Sequence, residues 1–388
     1  MAFSDVDTEM MTRALALARG GMGSAAPNPM VGAVLIREDR VIGEGYHRRA
    51  GQAHAEIEAI DSARESVAGA TLYCNLEPCS HDGPEKRTPP CVRRIIAEGI
   101  SRVVVATLDP NPRVHGNGIR ILREAGIRTE LGLLGREAAL LNDAYFKFIQ
   151  TGRPLVHLKA ALSLDGRIAT ANYDSKWITN LAARTFAHQL RKQCQAVMVG
   201  GNTAWQDDPQ LTLRHVEGEQ PWRVVMNSSL NLPLHLRLFT DGFRQKTLVI
   251  CASGSDSQKK EALLEAGVDV EEVSRTPAGG LDLDATLQVL GKRGITRILV
   301  EGGGRLLTSF VREEKFDKLS FIYAPLLIGE GICAIGDLGA GTISGAIRLA
   351  AVQHQLIDDQ VVVSGYHKPE LTFGLLRDMV CSPELSKP

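Results

Sequence analysis

In the first 150 residues, short apolar runs alternate with segments whose apolar positions recur at helical spacing. Residues 7–21, DTEMMTRALALARGG, have this spacing and end in two glycines, which predicts a helix with a glycine at its C-terminus. Strands alternating with helices predict an α/β domain with a largely parallel sheet, complete by about residue 148. The other predicted elements are a β-hairpin at 31–46, helices at 54–64, 88–99 and 118–126, and strands at 70–76, 102–110 and 127–133.

The second half repeats this alternation after a short predicted linker, TGRP, at residues 151–154. Two polar segments, 254–260 and 276–280, are predicted to be surface loops. The pattern therefore predicts two domains, at 1–150 and 151–370, and an uninformative tail at 371–388. The strands predicted here lie at 154–162, 196–200, 223–227, 247–252 and 295–303, with a helix at 181–194 and a β-rich stretch at the end.

Charge and composition narrow the function. Residues 1–150 carry 18 Lys+Arg against 19 Asp+Glu, and the rest carries 26 of each, so neither half has the basic excess of a nucleic-acid-binding protein. Seven scattered cysteines form no disulfide framework, and no apolar run reaches membrane-spanning length. We expect a cytoplasmic protein with a small-molecule substrate, without nucleic-acid or membrane partners. A homo-oligomer is compatible with the sequence.

Four residues near predicted element ends suggest a catalytic metal site. His54 opens a predicted helix, Cys79 follows a strand in Glu-Pro-Cys, and Cys91 lies in the first turn of the next helix, where the helix dipole favours a thiolate. One histidine and two cysteines leave the fourth position of a zinc ion open, which is typical of catalytic zinc. Zinc lowers the pKa of a bound water to about 7, and Glu56 can move its proton.

The pattern H-x-E…P-C-x-x-C is typical of zinc nucleobase deaminases. Here the cysteines are separated by eleven residues, so the second is displaced from that spacing. The alternative is that Cys79 and Cys91 are small buried apolar residues. Cys74 competes as a ligand, although its place within a predicted strand favours a core role.

A glycine-rich turn in the second half, Glu301 to Ser309 (EGGGRLLTS), joins a predicted strand to a predicted helix. Glycines allow a phosphate to approach the backbone, and the helix start supplies N–H donors. Such turns are also common as purely structural features. The G-x-G-x-x-G pattern of a Rossmann domain is missing after the first strand of this half.

The ordered segments APNPMVGAV, GEGYH, HAE, LEPCSH, RTPPC and LDPNP resemble the deaminase half of the bifunctional riboflavin-biosynthesis deaminase–reductase family. The resemblance implies a cytidine-deaminase-like α/β/α layer domain that binds one catalytic zinc ion. It implies His54, Cys79 and Cys91 as the ligands and Glu56 as the proton shuttle. The residues that it implies for the pyrimidine and ribose-phosphate pocket are Asn28, His47, His81, Arg87, Asp109 and Asn111. Asn28, Asp109 and Asn111 would also suit turns.

The family usually has eight residues between the two cysteines, and here Pro84-Glu85-Lys86 forms a three-residue insert. Lengthening the loop from eight to eleven residues costs only a few tenths of a kcal/mol in closure entropy. Binding of structural zinc contributes about 10 kcal/mol or more. We therefore expect the insert to bulge outward and leave both ligands in place.

The segments LKAALSLDGRIA, SKWIT, MVGGNTAWQDDPQLTLR and VEGGG, with Arg191, resemble the reductase half of the same family. This implies a dihydrofolate-reductase-like α/β domain that uses NADPH. The implied substrate contacts are Ser175, Arg191, Leu211, Arg214 and Glu301. The implied NADPH contacts are Ala161, Trp177, Thr203, Asp207, Ser228, Gly303, Gly304, Arg305, Leu306, Leu307, Thr308 and Ser309.

The chemistry of these residue types agrees with the resemblance. Arg191 and Arg214 suit a ribose 5-phosphate, and Lys159 with Glu301 are candidates to move a proton. Trp177 as a core aromatic, Asp207 as a turn residue and Arg191 as a solvated charge remain alternatives.

The resemblance implies a two-step enzyme of riboflavin biosynthesis. Deamination of 2,5-diamino-6-ribosylamino-4(3H)-pyrimidinone 5′-phosphate would precede reduction of its ribosyl group to ribityl by NADPH. One alternative is a single-activity zinc deaminase with a non-catalytic C-terminal binding domain. Others are a nucleic-acid-editing deaminase, which the balanced charge and 5% aromatic content disfavour, and a structural zinc protein with His81 as the fourth ligand.

Overall fold

The computed structural model describes residues 3–82 and 88–369, which form two compact units that divide between Thr151 and Gly152. The predicted α/β class is confirmed in both. The insert at 84–86, Arg87 and the predicted tail at 371–388 lie outside the described residues.

The first unit contains six α-helices and five strands among its described residues. The helices are α1 (Asp5–Ala18), α2 (Ala55–Asp61), α3 (Cys91–Ala97), α4 (Asn117–Glu124), α5 (Gly135–Leu141) and α6 (Asp143–Thr151), with a 3₁₀ turn at Arg19–Gly21. The strands are β1 (Gly32–Arg37), β2 (Arg40–Tyr46), β3 (Thr71–Cys74), β4 (Arg102–Val105) and β5 (Arg128–Leu131).

The sheet of the first unit has the order β2-β1-β3-β4-β5. Strands β3, β4 and β5 are parallel, whereas β1 is antiparallel to both β2 and β3. The pair β1–β2 is the predicted hairpin, because a two-residue connection such as Glu38-Asp39 can join only antiparallel strands. The prediction of a largely parallel sheet was wrong for the pairing of β1 with β3, which is also antiparallel.

Helices cover both faces of this sheet, and two glycines show why they fit. A Cβ atom on Gly32 would lie 2.1 Å from the Ala14 carbonyl oxygen of α1, and one on Gly45 would lie 2.4 Å from Glu58 Cβ of α2. Gly45 pairs with Ala33, the neighbour of Gly32, so the two glycines face opposite sides of the sheet. Helices α1 and α2 thus form the outer layers of an α/β/α arrangement.

Helix boundaries differ from the prediction at one important place. Helix α3 begins at Cys91 with Pro90 as its N-cap, so it starts later than the helix predicted at 88–99. Helices α5 and α6 were not predicted. The polar segment 254–260, predicted to be a loop, instead enters a helix at Ser257, because Asp256 accepts a hydrogen bond from the Lys259 N–H and caps it.

The second unit also contains six α-helices among its described residues. They are α7 (Leu181–Lys192), α8 (Gly201–Asp207), α9 (Arg237–Thr240), α10 (Ser257–Glu265), α11 (Leu283–Lys292) and α12 (Gly304–Arg312), with 3₁₀ turns at Arg244–Lys246 and Ile343–Gly345. The strands are β6 (Leu155–Ser163), β7 (Arg167–Thr170), β8 (Ala196–Gly200), β9 (Trp222–Met226), β10 (Thr247–Ala252), β11 (Asp269–Val273), β12 (Arg297–Glu301), β13 (Lys318–Ala324), β14 (Gly331–Cys333), β15 (Ala350–Ile357) and β16 (Gln360–Tyr366).

The main sheet of the second unit has nine strands in the order β11-β10-β9-β8-β12-β6-β13-β16-β15. The seven strands from β11 to β13 are parallel, and β16 and β15 add an antiparallel edge. Alternate residues enter different cores: Val224 and Ile250 lie in one cluster, and Val225 and Val249 lie in the other. Both faces of the sheet are therefore covered, as is typical of parallel sheets.

No helix among residues 3–82 and 88–369 is long and apolar enough to cross a membrane.

A buried ion pair joins α1 to the sheet of the first unit. Asp7 Oδ1 accepts hydrogen bonds from Arg102 Nη1 at 2.7 Å and from the Tyr73 hydroxyl at 2.8 Å. Burial of Asp7 opposes its ionisation, but the hydrogen bonds from Arg102, the Ser4 backbone and Tyr73 hold its pKa well below the usual range. The carboxylate therefore stabilises the folded state above the unfolded pKa of about 3.9, and this contribution is lost as the pH falls.

We expect Asp7→Asn to destabilise the first unit by roughly 2–4 kcal/mol at pH 7, since it leaves a partly buried Arg102 without this partner. The difference from the unchanged protein should shrink below about pH 4, because Asp7 is then becoming protonated in the unfolded state. Urea unfolding at pH 7 and pH 3.5 measures both effects. Asp61→Asn, which removes the exposed pair with Arg94, is the control and should cost less than about 1 kcal/mol. A pH-independent loss would contradict this role for Asp7.

Candidate active site

Three predicted metal ligands converge in the first unit. His54 is the N-cap of α2, Cys79 lies beyond β3, and Cys91 is the first residue of α3. His54 Nδ1 lies 3.4 Å from Cys79 Sγ and 3.3 Å from Cys91 Sγ, and the three ligand atoms all lie within 4.8 Å of one another.

These separations fit zinc. Bonds of about 2.3 Å to sulfur and 2.0–2.1 Å to nitrogen at tetrahedral angles place sulfur and nitrogen about 3.6 Å apart. The Cys91 N–H donates to Cys79 Sγ at 3.3 Å. The pKa of Cys79 is lowered to about 3 by hydrogen bonds from the Cys91 side chain, from His54 and from this N–H. A thiolate is the form that binds zinc.

The histidine is held in the orientation that a ligand requires. Its Nδ1 faces both thiols, and its Nε2 lies 3.5 Å from the Thr88 hydroxyl. The His47 ring meets it edge-on at a centroid distance of 5.3 Å. Partners of this kind fix the tautomer of a metal-binding histidine. Thr88 thus precedes α3 and does not lie within the helix that was predicted at 88–99.

Glu56 and Cys74 are both buried, but only Glu56 lines the cavity beside the three ligands. Burial, followed by the charge of Cys79, raises the pKa of Glu56 to about 6. Cys74 lies inside β3, and its Sγ faces the Val104 carbonyl at 3.9 Å. Burial raises the pKa of Cys74 well above its usual value, so it belongs to the core rather than to the metal cluster.

A cavity of about 800 Å³ opens onto the cluster. The pocket residues predicted from the sequence lie around it wherever the structure describes them: Asn28, His47, His81, Asp109 and Asn111. The cavity also has an apolar wall, formed by Phe148 and Ile149 of α6.

Two polar pairs on the cavity wall have fixed orientations. His47 Nδ1 must donate to the Ala53 carbonyl at 3.0 Å, so its Nε2 accepts from the Asn28 side-chain amide at 3.1 Å. Burial lowers the pKa of His47 and keeps this neutral tautomer. Asp109 accepts from the Asn111 N–H at 2.8 Å.

Tyr145, on the unpredicted helix α6, is a cavity residue that sequence reasoning missed. Its hydroxyl donates to Asp109 at 3.0 Å from Oδ1 and 3.3 Å from Oδ2. Burial raises the pKa of Asp109 to about 6, and this hydrogen bond acts in the opposite direction. Helical spacing in 143–151 could have revealed the helix, but the contact with Asp109 depends on the tertiary fold.

In the second unit, three predicted residues form one buried ionic cluster. Arg191 donates to Glu301 with Nε at 2.6 Å from Oε1 and Nη2 at 3.0 Å from Oε2, and Lys159 Nζ lies 3.7 Å from Oε2. Burial opposes ionisation, but Arg191 and Lys159 lower the pKa of Glu301 to about 2. Arg191 is therefore not a solvated surface charge. Its Nη1 also donates to the Thr212 carbonyl at 2.9 Å.

The remaining predicted substrate residues lie in loops. Leu211 is buried with a φ of 54°, unusual for a residue other than glycine. Arg214 is exposed, and its Nη1 donates to Gln210 at 3.2 Å. Ser175 lies between β7 and α7.

Three predicted cofactor residues lie at the carboxyl ends of the parallel strands. Thr203 lies in the first turn of α8, Ser228 follows β9, and Gly303 precedes α12. Gly303 has a φ of 75°, and a Cβ there would lie 2.9 Å from Thr203 Oγ1, so the turn requires glycine. Ligands in open parallel sheets bind at these carboxyl ends.

The structure distributes the other predicted cofactor residues differently. Trp177 is 69% exposed, with the Arg184 guanidinium 4.3 Å from its ring centre, so it is not a core aromatic. Leu307 is fully buried in the core and can offer a ligand only its backbone. Thr308 is also buried, whereas Arg305 is exposed. Ala161 lies in β6 and Asp207 ends α8, while Gly304, Leu306 and Ser309 belong to α12.

In comparison with known proteins, the two halves of the chain match two different family models. Residues 4–107 match the cytidine and deoxycytidylate deaminase zinc-binding region, and residues 154–363 match the RibD C-terminal domain. Riboflavin biosynthesis protein RibD of Aquifex aeolicus is 41% identical over 92% of this chain and 98% of its own length. The chain belongs to the RibD family. It is a deaminase and reductase of riboflavin biosynthesis, with zinc and NADPH as cofactors.

Solved RibD-family structures agree over both halves. Acinetobacter baumannii RibD, form 1, has a TM-score of 0.83 and 35% identity, covering 94% of this chain and 99% of that one. A Thermotoga maritima diaminohydroxyphosphoribosylaminopyrimidine deaminase/5-amino-6-(5-phosphoribosylamino)uracil reductase has a TM-score of 0.81 and 34% identity, covering 93% and 99%. The reading of the C-terminal half as a non-catalytic module is therefore not favoured.

We expect Tyr145→Phe to weaken substrate binding in the deaminase half, because the Asp109 carboxylate loses the hydroxyl that orients it. A hydrogen bond to a charged group contributes about 1.5–3 kcal/mol, so KM for ammonia release should rise roughly 10-fold or more while kcat changes less. Zinc content and NADPH-dependent reduction serve as internal controls and should not change. An unchanged KM, or loss of zinc, would argue against this positioning role.

Proposed function

We propose that the first unit deaminates 2,5-diamino-6-ribosylamino-4(3H)-pyrimidinone 5′-phosphate and that the second reduces the ribosyl group of the product to ribityl. The observation that supports the first step is the convergence of His54, Cys79 and Cys91, together with the cavity that His54, Cys79 and Glu56 line. The name of the Thermotoga maritima relative, a diaminopyrimidine deaminase and an aminouracil reductase, supports this order of the two reactions.

His54, Cys79 and Cys91 would hold one zinc ion with its fourth position open to the cavity. Zinc bound there supplies a water of lowered pKa as the nucleophile. Glu56 would take the proton from this water and give it to the departing amine. Its pKa of about 6 suits both directions of proton transfer near neutral pH.

The cavity wall would bind the rest of the substrate. Asn28 uses one amide N–H on His47, so its other amide N–H and its side-chain oxygen remain for the substrate. Asp109 offers an acceptor for pyrimidine N–H groups. His81 and Asn111 line the same space and would contact the ribose-phosphate end.

In the second unit, NADPH supplies the hydride. The glycines before α12 and the start of that helix would bind its pyrophosphate, because they expose backbone N–H groups. Ala161, Trp177, Thr203, Asp207 and Ser228 would contact the rest of the cofactor.

Arg214 is the better candidate for the substrate phosphate. Three of the five N–H donors of Arg191 are already used by Glu301 and the Thr212 carbonyl, and the Glu301 carboxylate offsets its charge. Arg191 would instead hold Glu301 and the loop of Leu211 in place. Lys159 beside Glu301 remains our candidate for proton transfer during opening of the ribose ring.

We also propose that the protein works in the cytoplasm. The six cysteines among the described residues form no disulfide, as is typical of a reducing compartment.

Cys91→Ser should lower the zinc content and reduce ammonia release by more than about 100-fold, because a hydroxyl is a far weaker zinc ligand than a thiolate. NADPH oxidation with the deaminated intermediate should stay within about two-fold of the unchanged protein. The measurements are metal analysis and two separate assays on the same full-length chain. Cys74→Ala is the matched control and should retain zinc. Equal loss of both activities would contradict two separate sites.

Arg214→Ala should raise KM for the deaminated substrate roughly 10- to 100-fold, because a charge-assisted contact to phosphate is lost. The Kd for NADPH should stay unchanged. Lys192→Ala is the control, since Lys192 packs towards Gly218 instead. Selective loss of NADPH affinity in Arg214→Ala would refute the assignment.

A further inference from the structure

A guanidinium group is held beside Ser228 at the carboxyl end of the sheet. Arg275 follows β11, and its Nη2 donates to the Ser228 carbonyl at 3.0 Å. Its Nη1 donates to the Gly279 carbonyl at 3.0 Å, because the chain turns back and Arg275 forms a bridge with Leu281. Two backbone carbonyls therefore fix the position of an exposed side chain that would otherwise be mobile.

The charge of Arg275 is not neutralised locally. Within residues 3–82 and 88–369, no carboxylate lies within 4.0 Å of its guanidinium. The neighbouring acidic residues on the same edge have other partners: Glu272 pairs with Lys260, and Asp269 and Glu271 pair with Arg293. Arginine has five N–H donors and two are used, so three remain for an anion.

The carbonyl that holds Arg275 is itself held by the end of the next strand. Ser255 Oγ donates its proton to the Ala252 carbonyl at 2.6 Å and lies 3.2 Å from the Ser228 carbonyl, so it joins the ends of β9 and β10. A guanidinium that is fixed in this way and keeps unused N–H donors is well suited to bind a phosphate dianion.

The position of Arg275 relative to the glycine turn indicates which phosphate group of the cofactor it would contact. Ser228 follows β9, and the glycines at 302–304 follow β12, with β8 between these two strands. Two strand spacings correspond to about 10 Å. The pyrophosphate would lie at the glycines, so an anion at Arg275 lies towards the adenosine end of the dinucleotide.

We propose that Arg275 binds the 2′-phosphate of the adenosine ribose and thereby selects NADPH over NADH. This assignment rests on the proposed contact between the cofactor and Ser228. Arg275 is a specificity residue and takes no part in hydride transfer, so its removal should leave the affinity for NADH unchanged.

The test is direct binding of dinucleotides to the full-length protein, measured by nicotinamide fluorescence or by calorimetry. Arg275→Ala should raise the Kd for NADPH about 10-fold or more and change the Kd for NADH by less than about two-fold. Adenosine 2′,5′-bisphosphate should compete with NADPH for the unchanged protein and lose this ability in the variant, whereas 5′-ADP should bind both equally.

Two further variants keep the test decisive. Arg275→Gln retains donors for the Ser228 and Gly279 carbonyls without the charge, so it should show the same selective loss even if Arg275→Ala folds poorly. Arg293→Ala removes one positive charge beside β11, and it should leave both Kd values unchanged.

The outcomes separate this proposal from the proposed function. Equal weakening of NADPH and NADH, or no change of either, would overturn the role of Arg275 while leaving the reductase assignment intact. Failure of the unchanged protein to bind either dinucleotide would overturn both. A wild-type protein that binds NADH as tightly as NADPH would overturn the selection proposed here.

Discussion

The N–H groups at the starts of helices have no partner within the helix, and much of this structure depends on how they are satisfied. In the first unit, the N–H of Cys91 at the start of α3 donates to the sulfur of Cys79. This one hydrogen bond brings two cysteines that are twelve positions apart to the same point and favours the thiolate form. The metal site thus uses a donor that the helix itself cannot pair.

A second helix start is paired with a carboxylate, and it joins the metal ligands to the cavity wall. Glu77 accepts from the N–H groups of Gly116, Gly118 and Ile119 at the start of α4, and from the N–H of Asp109. Cys79 is only two residues away along the chain. The Glu77 side chain therefore positions the metal loop and the Asp109 loop together. Gly118 has to be glycine, since a Cβ there would lie 2.3 Å from the Pro78 carbonyl oxygen.

The second unit controls charge in a different way. Glu301 and Lys159 lie opposite each other on the parallel strands β12 and β6, and Arg191 reaches Glu301 from the last turn of α7. The carboxylate stays ionised in a buried place because two cations surround it. Since Arg191 also holds the Thr212 carbonyl, the same ion pair fixes the loop that carries Leu211 and Arg214. Cations that remain without a carboxylate partner, such as Arg275, are then available to anionic ligands.

The sequence by itself determined the α/β class, the approximate place of most strands and helices, and the set of His54, Glu56, Cys79 and Cys91. It could do so because hydrophobic spacing reports local structure and because a few residue types can bind zinc. It could not determine the antiparallel pairing of β1 with β3. Nor could it determine the hydrogen bond between Tyr145 and Asp109, which are 36 residues apart, or the ion pair between Arg191 and Glu301, which are 110 residues apart. These depend on which elements pack together, and only the tertiary structure decides which donors and charges are already used and which remain for a substrate.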